Sequence, residues 1–67
     1  MKLIIDNEDM EFLEENNFKI DYEKNYTDDE FLKILEDLYF QETSFVDVDE
    51  NKANRFADIA DKVAEMN

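Results

Sequence analysis

The chain has no cysteine, no histidine, no glycine and no proline. Each absence removes a class of chemistry. Without cysteine there is no disulfide to staple a small fold and no thiolate to attack a substrate. Without histidine as well, the commonest transition-metal ligands are missing. Phosphate-cradling loops, dinucleotide fingerprints and nucleophile elbows need glycine wherever backbone must approach a ligand or turn sharply. Tight turns therefore fall to asparagine and aspartate, which tolerate the left-handed conformation better than other side chains. Asn16-Asn17 and Lys24-Asn25 are the expected places.

Positive charge is scarce. Seven Lys and Arg stand against twenty Asp and Glu, for a net charge of −13. Phosphate binding needs cations, so neither direct contact with nucleic acid nor docking on an anionic membrane is expected. The N-terminal apolar run, Leu3-Ile4-Ile5, is too short for a signal-peptide hydrophobic region or a membrane span. A cytoplasmic location is the expectation. The abundance of Asn, Ile, Lys, Phe and Tyr fits AT-rich codons, as in a low-GC bacterium, its phages or its mobile elements.

What is present is enough to fold. Sixty-seven residues make one domain (1–67) with one modest core, burying about 60% of the surface the unfolded chain exposes. The charge and the mean hydropathy of −0.72 lie near those of disordered chains. Six Phe, three Tyr and a regular apolar period argue for a folded state.

Three segments carry helix-start signals. In Thr27-Asp28-Asp29-Glu30, Thr27 and Glu30 form a capping box, with Tyr26 and Phe31 placed as a hydrophobic staple. Phe31, Leu32, Ile34, Leu35, Leu38 and Tyr39 then share one arc, predicting a helix to about Gln41 or Glu42. A second start at Asp47-Val48-Asp49-Glu50 leads into Ala53, Phe56, Ala57, Ile59, Ala60, Val63, Ala64 and Met66 on one face, predicting a helix almost to Asn67. A shorter helix is capped by Asp6 and stops near Asn16. Around it, Leu3-Ile4-Ile5 and the alternating Phe18-Lys19-Ile20-Asp21-Tyr22 read as strands. The expected fold is therefore a compact α+β or small α/β domain, order β-α-β-α-α, with a parallel right-handed crossover if the strands pair. The alternative is an all-helical bundle with extended connections. The predicted core is Ile5, Leu13, Ile20, Phe31, Leu35, Leu38, Phe56, Ala60 and Val63.

The acidity is the strongest functional signal. Nine of the twenty acids, Asp9 among them, fall near helix N-termini, where they complement the macrodipole. The remaining imbalance is spread evenly, −7 over residues 1–33 and −6 over 34–67, with no acidic tail. Such a surface repels itself, and solubility alone asks for a net charge of only roughly 2–8. Its natural complement is a basic protein, one whose groove binds nucleic acid. Carboxylates spaced along helices imitate a line of phosphates, and the candidates are Glu8, Glu11, Glu14 and Glu15 on the first helix with Glu36 and Asp37 on the second. In size and charge alone, with no shared motif, the chain resembles the small acidic inhibitors of phages and mobile elements, anti-restriction and anti-CRISPR proteins among them. That resemblance implies a DNA- or RNA-mimicking inhibitor.

The apolar candidates are Phe40 and Phe45. Phe40 lies about 140° from the centre of the apolar arc of its helix. With Phe45 and Val46 it either packs the connection between the last two helices or forms an exposed anchor for a partner. The alternative function is accordingly a small homo-oligomeric or adaptor protein using an aromatic patch. Asp47-Val48-Asp49-Glu50-Asn51 has the alternating oxygens of a calcium loop, but the sixth position holds Lys52 instead of glycine and the twelfth Asp58 instead of glutamate. No metal or cofactor is expected. Paired carboxylates need a pocket that separates their pKa values before they catalyse, and so small a chain has little volume for one, so no enzyme is expected either. Crowded carboxylates predict a fold that gains stability with added salt and as pH falls from 7 toward about 5.

Overall fold

The chain enters its first helix at Asp6, whose backbone is extended (φ −62°, ψ 150°), and leaves it at Asn16. The computed structural model describes residues 2–66, with three helices among them: α1 (Asn7–Glu15), α2 (Asp28–Phe45) and α3 (Glu50–Glu65). Asp6 is the N-cap by position only. Its carboxylate makes no capping hydrogen bond and lies 3.6 Å from Lys62 Nζ on α3.

The end of α1 shows how a glycine-free chain reverses direction. Asn17 takes φ 60°, the left-handed region, as expected for the Asn16-Asn17 pair. Its N–H donates to the Glu14 carbonyl at 3.1 Å, and the Phe18 N–H donates to the Leu13 carbonyl at 2.8 Å. These two bonds are the Schellman pattern, with asparagine where glycine is usual. They fold Phe18 back so that it joins Leu13 in the core. Asn17→Val puts a β-branched side chain into this conformation and is expected to cost about 1–2 kcal/mol. Thermal melting checks it, with Asn17→Gly as the tolerated comparison. The second turn departs from expectation. It is built at Asp21, whose Oδ1 accepts from the Glu23 N–H (3.0 Å) and whose carbonyl accepts from the Lys24 N–H (3.3 Å), and Asn25 takes no positive φ.

Both halves of the expected capping box open α2: the Glu30 N–H donates to Thr27 Oγ1 at 3.2 Å, and the Thr27 N–H donates to Glu30 Oε1 at 3.1 Å. The helix continues to Phe45, about a turn beyond the expected Gln41–Glu42 end. The polar residues of this added turn are satisfied locally, as the Thr43 and Ser44 hydroxyls donate to the Tyr39 and Phe40 carbonyls. Continuation then delivers Phe45 to the core, where its ring stacks on Phe56 at 5.9 Å with an interplanar angle of 1°. Asp49 caps α3 by accepting from the Lys52 N–H at 3.2 Å. The short link 46–49 lets α3 return along α2, and these two helices make the most extensive packing in the fold.

No β-strand is present among the described residues, which corrects the α+β or α/β expectation: the domain is three helices with extended connections. Leu3 and Ile5 are buried while Ile4 between them is 79% exposed, which is the period of a strand. The alternation is real, but it arises from an extended segment laid against helices, not from a sheet. Likewise Phe18, Ile20 and Tyr22 pack against the helical core from one side of a connection. An apolar period of two reports one buried side of extended chain and does not say what covers it.

The core comprises Leu3, Ile5, Leu13, Phe31, Leu38, Phe56, Ile59, Ala60 and Val63. Ile20 and Leu35, expected inside, are partly buried at its border. Phe56 is its hub and is fully buried. Phe12 of α1 meets it edge-on at 4.9 Å, Phe18 at 6.4 Å, and Phe45 stacks as above. One ring thus comes from each of the three pieces that surround α3.

Candidate functional site

The acidic face of α1 is positioned by one carboxylate that points the other way. Asp9 is only 6% exposed. Its Oδ1 accepts from Arg55 Nη2 at 3.3 Å and its Oδ2 from Lys62 Nζ at 2.9 Å, both on α3. Arg55 and Lys62 are seven residues apart, two helical turns, so they lie on one stripe of α3. The Arg55 guanidinium also sits over the Phe12 ring, 4.7 Å from its centroid. Hydrogen bonding to Asp9, reinforced by its charge, raises the Lys62 pKa. Asp9, read from sequence only as a helix-dipole acid, is thus an inter-helix clamp. One signal was there to find it: Asp9 and Leu13 are four residues apart and share the buried face of α1.

With Asp9 turned inward, the other acids of α1 separate into two groups. Glu8, Glu11 and Glu15, at helical spacings of three and four, line a shallow depression of about 250 Å³ with Phe12 and Arg55. All three are exposed, and Arg55 in their midst is held by Asp9. Glu14 faces elsewhere, into a depression of about 360 Å³ with Met10, Phe18, Lys19, Ile20 and Tyr22. Tyr22 has its pKa raised by burial first and by the nearby Glu14 charge second. On α2, Asp37 lines a third depression of about 280 Å³ with Asn17, Phe18, Lys19, Ile34, Phe40 and Gln41. Glu36 is exposed beside it in sequence.

The two aromatic candidates part company. Phe40 is 67% exposed and does not pack the α2–α3 link. Phe45 is half-buried, stacked on Phe56, with Lys52 Nζ 5.2 Å from its ring centroid. Val46 beside it is exposed.

Most of the negative charge is left unneutralised. Among the described residues, ion pairs engage three of the twenty acids, Asp6, Asp9 and Glu30. Glu30 is held down to a pKa of about 2, chiefly by the hydrogen bond from Lys24 (2.7 Å) and then by the Thr27 backbone N–H. A carboxylate lowered from an unfolded value of about 4.3 contributes stability that is present above that value and lost as pH falls through about 2. Between pH 5 and 2 the wild type should therefore lose more stability than Glu30→Gln, and carboxyl NMR titration should place Glu30 lowest where the bridge is intact. That window lies below the pH 7 to 5 range in which self-repulsion is expected to relax.

Among the described residues, no group of three or more acids is placed to hold a metal ion. Asp49, third position of the calcium-like segment that begins at Asp47, accepts the capping hydrogen bond of α3. No helix among them is long and apolar enough to cross a membrane. What the surface offers chemically is exposed carboxylates, the protruding phenyl ring of Phe40 and open depressions. No protein-family model, curated protein or solved structure matches this chain.

Proposed function

We propose that this protein is a non-enzymatic acidic binding module that occupies the basic, nucleic-acid-binding surface of a cytoplasmic partner protein, in the manner of a phage or mobile-element counter-defence inhibitor. The observation that carries the reading is the Glu8–Glu11–Glu15 face of α1, exposed and without a cation of its own beyond the Arg55 already shared with Asp9. The helix backbone that carries the carboxylates is formed before the partner arrives, so less entropy is lost on binding than by a disordered acidic segment. Opposite charge on the partner favours fast encounter. Phe40, exposed one turn after Glu36 and Asp37, supplies an apolar contact within the same acidic surroundings.

Retention of protein from a nuclease-treated bacterial lysate tests the reading, with the wild type compared against the combined Glu8→Gln, Glu11→Gln and Glu15→Gln variant. Circular dichroism verifies that the variant is folded. The wild type should retain a basic, nucleic-acid-binding protein at low salt, and the variant should bind it at least about tenfold more weakly, since each charge-assisted contact is worth about 1.5–3 kcal/mol. Equal retention by both proteins would count against it. The exposure of Phe40 favours one other reading, self-association through the aromatic patch. That would appear in sedimentation as an oligomer persisting at high salt and lost in Phe40→Ser.

A further inference from the structure

We infer that the depression between α1 and the segment 18–22 is the seat of a single arginine side chain of the basic partner, an inference that rests on the function proposed above. The depression is lined by Met10, Phe18, Ile20 and Tyr22, with Glu14 and Lys19 as its charged members, and holds about 360 Å³. That volume lies at the lower end of ligand pockets, about 300–1,000 Å³. It combines what an arginine needs: apolar walls for the methylene stem, aromatic rings for the planar guanidinium, and a carboxylate for its N–H groups.

The choice of arginine has an internal precedent. This chain already holds one guanidinium between a carboxylate and a phenyl ring, Arg55 against Asp9 (3.3 Å) and over Phe12 (4.7 Å). Glu14 and Tyr22 repeat those two elements in the depression, with no arginine of the chain to fill it. Glu14 is close enough to Tyr22 for its charge to oppose phenol ionisation. Lys19 is exposed and, among the described residues, forms no ion pair with Glu14, so the carboxylate remains available to a guest. Lys19, exposed at the edge of the depression, places a like charge beside an arginine guest and opposes its entry.

Two capped octapeptides serve as probes, one alternating arginine with alanine and one alternating lysine with alanine, titrated into isotopically labelled protein at about 0.15 M salt. The arginine peptide should shift the Met10 and Ile20 methyl signals and the Tyr22 ring, and should bind several-fold more tightly than the lysine peptide, because only the guanidinium stacks. Glu14→Gln should weaken it about tenfold, whereas Glu65→Gln, removing the same charge at an exposed position of α3, should change it less than about twofold. Lys19→Ala should tighten it. Shifts confined to the Glu8–Glu11–Glu15 face, with Glu14→Gln and Glu65→Gln equivalent, would overturn this site while leaving the acidic-module reading intact. Failure of both peptides to bind would overturn the site and the reading beneath it.

Discussion

Phe56→Ala should leave this chain without a cooperative unfolding transition at 37 °C. Removing a fully buried phenylalanine typically costs about 3–5 kcal/mol. A domain of this length has a total stability on the order of 3–10 kcal/mol, so the loss is comparable to the whole. Three features place the cost at the upper end. Phe56 is completely inaccessible. It receives Phe12, Phe18 and Phe45 on its edges and face, and those contacts add to simple area burial. No disulfide exists to limit the unfolded chain. Phe56→Leu, which keeps most of the volume, should instead give a folded protein with a lowered melting temperature. Calorimetry distinguishes the cases, and a Phe56→Ala variant melting within a few degrees of wild type would show that the aromatic cluster is not the centre of the fold.

Asp9→Asn should lower the melting temperature by roughly 5–15 °C, for a loss of about 1–3 kcal/mol. The argument begins with burial. Asp9 is enclosed, so its charge is tolerated only because Arg55 and Lys62 reach it. Removing one partner from a fully buried pair costs about 3–5 kcal/mol. Here both cations are roughly half exposed and rehydrate when released, which reduces the loss. The damage should be local first. Hydrogen exchange in α1 should accelerate more than in the α2–α3 pair, because the clamp joins α1 to α3 while α2 and α3 hold each other by extensive packing. The alkaline side carries a matching signature. Lys62 has its pKa raised by Asp9, so the stability it contributes is complete below its unfolded value of about 10.4 and is lost as pH rises through the folded one. Asp9→Asn should remove most of that contribution, with Asp6, 3.6 Å from Lys62 Nζ, retaining the rest. Uniform exchange across all three helices would contradict the clamp.

Local rules made much of this fold legible. The Thr27–Glu30 capping box, the Asp49 start of α3 and the Asn16-Asn17 exit from α1 are each encoded within a few residues, and each is found where the sequence places it. The apolar stripe on α3 likewise foretells the buried Phe56, Ala60 and Val63. The expected sheet is absent among the described residues because period two arises equally from extended chain lying on helices. Leu3 and Ile5 pack against the helices without pairing with Phe18–Tyr22, and only tertiary structure separates the two cases. The end of α2 lies beyond the expected one for a similar reason, since Phe45 stacks on Phe56 of α3, eleven residues away in sequence.

The candidate surface divides along the same line. That Glu8, Glu11 and Glu15 share a stripe follows from helical spacing and could be read directly. That Glu14 falls into a different depression, beside side chains four to eight residues downstream and past the end of the helix, could not. The clamp joins residues 46 and 53 positions apart, a separation over which composition and period carry no information. Phe40 was ambiguous on the helical wheel, and its exposure resolves the packing question in favour of a protruding ring.

The central claim is that the acidic surface competes with nucleic acid for a basic groove. Its most direct test is the displacement of the retained lysate protein from immobilised wild-type protein by a short DNA or RNA duplex, repeated over a range of salt concentrations. The account predicts that the duplex releases a basic protein and that retention falls steeply as salt rises, because both ligands release or replace the same counterions. A partner that is indifferent to duplex and stays bound through high salt would contradict it, and would assign recognition to the apolar surface around Phe40 instead.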